Sequence, residues 1–255
     1  MACRSAGRSI ISTTARWRPP SNPERPCKDL SMTGPFSHID SWVFDLDNTL
    51  YDAESHVFVE MGSRMTDYVA AHLNIPREEA DLKRKHFFRT YGTTLRGMMT
   101  EHGIEPDHFL RQVHDFDVSV VPQCAVTKEY LAHLPGRRFV FTNAPRQFAE
   151  AMTAQLGIRH YFDGIFAIED AAYWPKPHLD TYHVFLKKHG VDPKRACMFE
   201  DMEINLKPAH DLGMTTVWFH GKNVSPAELN HPHTHYKSEK LSDWLVKHVE
   251  KKHRS

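Results

Sequence analysis

Apolar positions divide the chain into three regions of different period. A short continuous run at 42–44, Trp-Val-Phe, reads as a strand buried on both faces. From 54 to 121 the period turns helical, with Phe58, Met61, Met65, Tyr68 and His72 recurring at spacings of three and four. Pro76 followed by Glu78 and Glu79 opens a second helix there, because proline and acids suit a first helical turn. Gly92 and Gly103 punctuate the next segment, and Phe109, Val113 and Phe116 carry the helical period past Pro106. Nothing in this stretch alternates like a strand. Beyond Pro122 the pattern changes again, to short apolar runs at 138–141, 164–168, 197–199 and 215–219, separated by helical segments at about 145–156, 178–189 and 205–212. Gly157 and Gly190 close the first two of these helices. Strands alternating with helices of this length predict a doubly wound, Rossmann-like α/β parallel sheet, here with an all-helical cap subdomain inserted after its first strand. Leu241, Trp244, Leu245 and Val249 predict a final packing helix.

The expected division is therefore an extension at 1–38, a core at 39–53 and 122–240, a cap at 54–121, and a C-terminal helix with a basic tail at 241–255. The extension carries Arg4, Arg8, Arg16 and Arg18 and no acid before Glu24, the composition of a mitochondrial presequence. Pro19, Pro20, Pro23 and Pro26 oppose a continuous amphipathic helix, which favours an upstream reading-frame extension with Met32 as the start, or a disordered tail. A cytoplasmic location is expected, with the mitochondrion as the alternative if 1–31 is a presequence.

Composition narrows the partners. The 32 basic and 32 acidic residues cancel, so no global basic field invites a nucleic acid polymer. No apolar run approaches the ~20 residues of a membrane span. The four cysteines are widely spaced with no CxxC pair, which points to a reducing compartment. A small, locally charged ligand remains. Among the 19 histidines only His231, His233 and His235 cluster, either as a metal site or as a solvated loop.

In an open parallel sheet, ligands bind beyond the carboxyl ends of the strands. The reactive residues of this chain stand there in sequence. Asp45 and Asp47 follow the first run; Thr142 and Asn143 follow the second; Lys176, between Pro175 and Pro177, follows the third; Glu200 and Asp201 follow the fourth. Asp45 and Asp47 share a side of extended chain, and two carboxylates that close require a cation between them or a proton on one. Each member also has an ordinary explanation: Thr142 caps a helix, Lys176 is a surface lysine, and Glu200-Asp201 is a turn. The set is more specific than its members.

The order DLDNTLY at 45–51, FTNA at 141–144, the proline-flanked Lys176 and FEDMEINL at 199–206 resembles the haloacid dehalogenase superfamily, phosphatase branch, with a helical cap. The wording of these motifs and of YGTTLRG at 91–97 is most similar to the pyrimidine 5'-nucleotidase group. The resemblance implies Asp45 as nucleophile, Asp47 as general acid and base, and Thr142, Asn143 and Lys176 around the phosphoryl group. It implies Mg2+ held by Asp45, Asp201 and the Asp47 backbone carbonyl, with Asn205 at the place where many relatives carry a second acid and Glu200 near it. Asp47 is expected to have a raised pKa from the neighbouring carboxylate, and the helix after Asn143 to offer backbone N–H groups to an anion. Tyr91 and Arg96 are the cap candidates for contact with the leaving group. The implied activity is magnesium-dependent hydrolysis of a small phosphorylated substrate, a pyrimidine nucleoside 5'-monophosphate first, with a sugar phosphate or phosphoglycolate as the alternative and a non-catalytic nucleotide binder as a third reading.

Overall fold

The computed structural model describes residues 34–53, 56–221 and 230–249. The expectations on 1–33, including the start at Met32, lie outside them. Six parallel strands form one sheet in the order β3-β2-β1-β4-β5-β6, with β1 at Ser41–Phe44, β2 at Arg137–Phe141, β3 at Gly164–Phe166, β4 at Ala196–Glu200, β5 at Thr215–Phe219 and β6 at Tyr236–Ser238. The chain steps outward from β1 to β3, then returns to the other side of β1 for β4. The crevice between β1 and β4 is thus the point where strand order reverses.

β1 is buried on both faces, as its continuous apolar run requires. Its side chains alternate between two cores: Trp42 and Phe44 join one, Val43 the other. In the first core Phe44 stacks on Phe199 at 4.7 Å and 9°, and Trp244 stands edge-on to Phe199 at 4.7 Å. Helices α5 (Ala125–His133), α6 (Arg146–Gln155) and α9 (Leu241–His248) cover that face. Helices α7 (Leu179–His189) and α8 (Glu203–Asp211) cover the other, where Phe141 stacks on Phe185 at 4.8 Å.

Several elements differ from the sequence expectation. Helix α5 and strand β6 are additional; β6 has two half-exposed residues around an exposed Lys237 and exists through its pairing with β5. The third strand ends at Phe166, because Ile168–Ala171 turns into a 3-10 helix. Phe36 is fully buried against Tyr236 and Trp244, at ring distances of 4.8 and 5.0 Å, so the core begins before residue 38.

Between β1 and α5, four helices stack in sequence: α1 (Val57–Leu73), α2 (Arg77–Tyr91), α3 (Thr94–His102) and α4 (Pro106–His114). Gly92 and Gly103 end α2 and α3 in the left-handed conformation that glycine adopts without strain. Gly97, inside α3, has a different reason. A Cβ there would lie 2.5 Å from both Cβ and Cγ of Phe87, a fully buried ring of α2.

Alanine at position 97 gains about 1 kcal/mol of helix propensity but must displace Phe87 near its backbone, at an overpacking cost of about 1–3 kcal/mol. Gly97→Ala is therefore expected to be net destabilising, measurable as a lower urea midpoint; an unchanged or higher midpoint would show that α2 and α3 can separate freely.

Candidate active site

Strand register sets the geometry of the cleft. Phe44 pairs with Phe199 on one side and Val140 on the other, so the residues just beyond, Asp45, Glu200 and Phe141-Thr142, emerge in one row. The Asp45 N–H continues the ladder to the Phe199 carbonyl at 2.9 Å, which fixes where its side chain begins.

Lys176 reaches into that row from the loop after β3. Its ammonium donates to Asp45 Oδ1 at 2.7 Å, Glu200 Oε1 at 2.6 Å and the Phe141 carbonyl at 2.8 Å. Those three bonds use all three of its protons. Burial alone would depress the Lys176 pKa, but Asp45 and Glu200 more than reverse this, so the charge is held firmly. The loop is aimed by Asn143: its Oδ1 accepts from the Lys176 N–H at 2.8 Å and its Nδ2 donates to the Lys176 carbonyl at 3.2 Å.

Four carboxylates, Asp45, Asp47, Glu200 and Asp201, gather around this one ammonium. Oxygens of Asp45, Glu200 and Asp201 lie within 4.8 Å of one another. Burial, then the charge of Glu200, raises the pKa of Asp45 to about 8 and of Asp201 to about 9. Such a buried surplus of negative charge, made of hard oxygen donors, fits a divalent cation of the magnesium type. Asn48 orients Asp201 by donating to its Oδ2 at 3.2 Å, while Asn48 Oδ1 accepts from the Ala53 N–H at 2.9 Å.

Asp47 lines the same cleft, but its carboxylate is engaged by the Tyr51 hydroxyl. Its pKa is raised to about 6, chiefly by burial and against the Tyr51 hydrogen bond; of the neighbouring carboxylates, Glu200 adds to the rise. The direction agrees with the expectation, while the main cause differs. Glu200 is almost fully buried, and besides Lys176 it accepts from Asn205 Nδ2 at 2.7 Å and the Met202 N–H at 2.9 Å. Asn205 thus tethers Glu200.

Thr142 is buried, and its Oγ1 accepts from the Ala144 N–H at 2.9 Å, which leaves the hydroxyl proton to donate. At the N-terminus of α6 the Arg146 N–H, one of the donors expected there, already donates to both Glu169 oxygens, at 3.0 and 3.1 Å, so that donor is not turned to an anion in the cleft. Of the cap candidates, Arg96 lies over the Trp174 ring at 3.6 Å, and both line the cleft. Tyr91 also lines it, with its hydroxyl donating to Glu101 of α3 at 3.0 Å. Tyr51, Asn48 and Trp174 are site residues that the sequence reading does not single out. Tyr51 sits four residues after Asp47, a signal visible within the DLDNTLY motif; Trp174 carries none.

The cleft between helices α1–α4 and the strand ends measures about 1080 Å³. Phe58, Phe88, Trp174, Met202 and Ile204, all exposed apolar side chains, line it above the acids.

Comparison with known proteins places this geometry. The family model for "Haloacid dehalogenase-like hydrolase" matches residues 42–219. The fructose-1-phosphate phosphatase YqaB of Escherichia coli is 26% identical, over 69% of this chain and 93% of its own length. A glyceraldehyde 3-phosphate phosphatase of Methanocaldococcus jannaschii is 24% identical, over 69% of this chain and 82% of its own. The fold is similar to a solved phosphatase from Thermococcus onnurineus, with a TM-score of 0.59 at 17% identity, over 82% of this chain and 97% of that one.

Replacing Lys176 with Met removes the cation that Asp45 and Glu200 share, and breaking a buried pair in this way costs roughly 3–5 kcal/mol. Chemical denaturation should show that loss, and a variant as stable as wild type would contradict the electrostatic account. His114 of α4, which also lines the cleft, donates from Nδ1 to the Leu110 carbonyl at 3.0 Å and has its pKa lowered from 6.5 to about 4 by burial. The unfolded chain binds that proton first, so stability is lost as pH falls from 6.5 towards 4. His114→Gln should therefore gain on wild type by about 2 kcal/mol between about pH 8 and about pH 5. A pH-independent difference would count against it.

Proposed function

The chain belongs to the haloacid dehalogenase-like hydrolase family, and from that premise we propose that it hydrolyses phosphomonoesters through an aspartyl-phosphate intermediate. The observation that supports this most is the Lys176–Asp45–Glu200 contact, which gathers three loops on the end of β1 with Asp47 and Asp201 beside it.

Asp45 is the nucleophile. One of its oxygens bonds to phosphorus as the ester oxygen departs opposite to it. Asp47, with a pKa of about 6, carries a proton on a useful fraction of molecules near neutrality and delivers it to the leaving oxygen. As a carboxylate it then takes a proton from the water that attacks phosphorus, which frees phosphate and restores Asp45. Tyr51 holds Asp47 in position. Thr142 directs its free hydroxyl proton to a phosphoryl oxygen, and Lys176 offsets charge around Asp45. Since all three Lys176 protons are already bonded, direct contact with phosphate requires one partner to yield. Asp45, Asp201 and the Asp47 carbonyl would hold Mg2+, with Glu200 close by. When bound, that ion supplies positive charge that offsets the acids and polarises the phosphoryl group.

For the leaving group, the apolar wall and the size of the cleft favour a nucleoside over a three-carbon sugar, since a stacked base needs such a surface. Nucleoside 5'-monophosphates are thus the first reading, with the pyrimidine ones put first by the motif resemblance alone. The sugar phosphates in the names of the similar proteins support the second.

Asp45→Asn should lower phosphate release by several orders of magnitude with the circular dichroism unchanged, and retained turnover would exclude the covalent route. Phosphate release should be measured over a panel of nucleoside and sugar monophosphates. Nucleotides are expected to lead, EDTA to abolish turnover and Mg2+ to restore it. Faster turnover of fructose 1-phosphate would move the assignment to the second reading.

A further inference from the structure

Sequence spacing groups His231, His233 and His235, but the structure separates them. His235 Nδ1 turns to Thr216, 2.8 Å from its Oγ1 and 3.1 Å from its N–H. His231 and His233 converge instead on a residue far away in sequence, Glu203 at the start of α8. Glu203 Oε2 lies 3.5 Å from His231 Nδ1 and 2.5 Å from His233 Nε2, and the three ligand atoms all fall within 4.8 Å of one another. We propose that Glu203, His231 and His233 form a second metal site, one that takes a borderline divalent ion such as Zn2+ and is distinct from the acidic cluster in the cleft.

The donor chemistry separates the two sites. Two imidazoles and a carboxylate suit zinc with a fourth position open, whereas the all-oxygen cluster around Asp45 suits magnesium. A tetrahedral zinc with bonds of about 2.0–2.2 Å places its ligands roughly 3.4 Å apart. The 3.5 Å gap to His231 already matches, and the 2.5 Å gap to His233 opens with a side-chain rotation of under about 1 Å.

The ligands are also held in advance. The Thr234 N–H closes a turn onto the His231 carbonyl at 3.1 Å, which brings the two imidazoles to 5.5 Å between centroids. The His233 carbonyl is pinned to β5 by Thr216 Oγ1 at 2.8 Å. The His231 ring stands edge-on to Trp218 at 5.2 Å, and Trp218 Nε1 in turn donates to the Asp201 carbonyl at 2.7 Å. Side-chain exposures of 29% for His231, 12% for His233 and 29% for Glu203 leave a path for the ion to enter. A plain ion pair would need one histidine; two on one carboxylate oxygen is the feature it does not explain.

The test is zinc titration by calorimetry of the full chain carrying Asp45→Asn and Asp201→Asn, which removes the acidic cluster. One equivalent of Zn2+ is expected, and Co2+ in its place should give the absorption of a low-coordinate site. Adding His231→Ala and His233→Ala should abolish both signals with the circular dichroism unchanged. Because the cleft variants disturb a buried ion pair, the same comparison is made on wild type against Glu203→Gln in saturating Mg2+, where zinc should raise the wild-type melting temperature and not that of the variant. Equal zinc uptake with and without the two histidines, no uptake in either background, or an equal thermal shift for Glu203→Gln would overturn the site.

Discussion

A buried ammonium without a counter-charge is among the most costly groups a protein can enclose, and Lys176 escapes that cost only by meeting Asp45, Glu200 and the Phe141 carbonyl together. The constraint runs both ways. The two carboxylates are nearly as buried as the lysine, so none of the three could occupy its place without the others. Three strand ends are thereby brought to one point, and Asn143 and Asn205 serve it by fixing the lysine loop and Glu200 respectively. Strand pairing brings Asp45 and Glu200 within reach of each other; the ion triad decides which way they face.

The loop that delivers Lys176 is also the part of the core that meets the helical layer above it. Tyr173 donates to Asp107 of α4 at 2.9 Å, Trp174 lies beneath Arg96 of α3, and a Cβ on Gly92 would come 3.1 Å from Pro175. Four consecutive residues therefore carry three contacts to the helices and the central charge of the cleft. Any rearrangement of α3 and α4 over the sheet acts on the same short segment that positions the ammonium. The apolar wall above the acids belongs to both layers, with Phe58 and Phe88 from the helices and Met202 and Ile204 from the start of α8 and the turn before it.

The acidic surplus also leaves the electrostatics of the cleft incomplete in protein atoms alone. Burial and mutual repulsion push Asp45 and Asp201 far above the ordinary carboxylate range; Lys176 offsets part of the rise at Asp45, and the Asn48 hydrogen bond part of that at Asp201. This donor set fits a divalent cation, or else a proton held on one of the carboxylates.

Much of this is legible in the chain because it rests on local rules. The continuous apolar run of β1, the helical spacing from Phe58 to His72, the glycines at 92, 103 and 190 and the reactive residues just after each strand follow from side-chain periodicity and backbone freedom. Those rules also put Asp45, Asp47, Thr142, Lys176 and Asp201 at the cleft end of the sheet, since parallel strands expose their carboxyl ends to the same side. Whatever depends on distance through space is not legible. β6 has no apolar run and is a strand only beside β5; Glu169 claims the start of α6 from 23 residues away; Arg96 finds Trp174; and His231 and His233 leave His235 for Glu203. Periodicity states which face a residue takes, but only the packed chain states which partner waits on that face, because that depends on how separate elements are brought together.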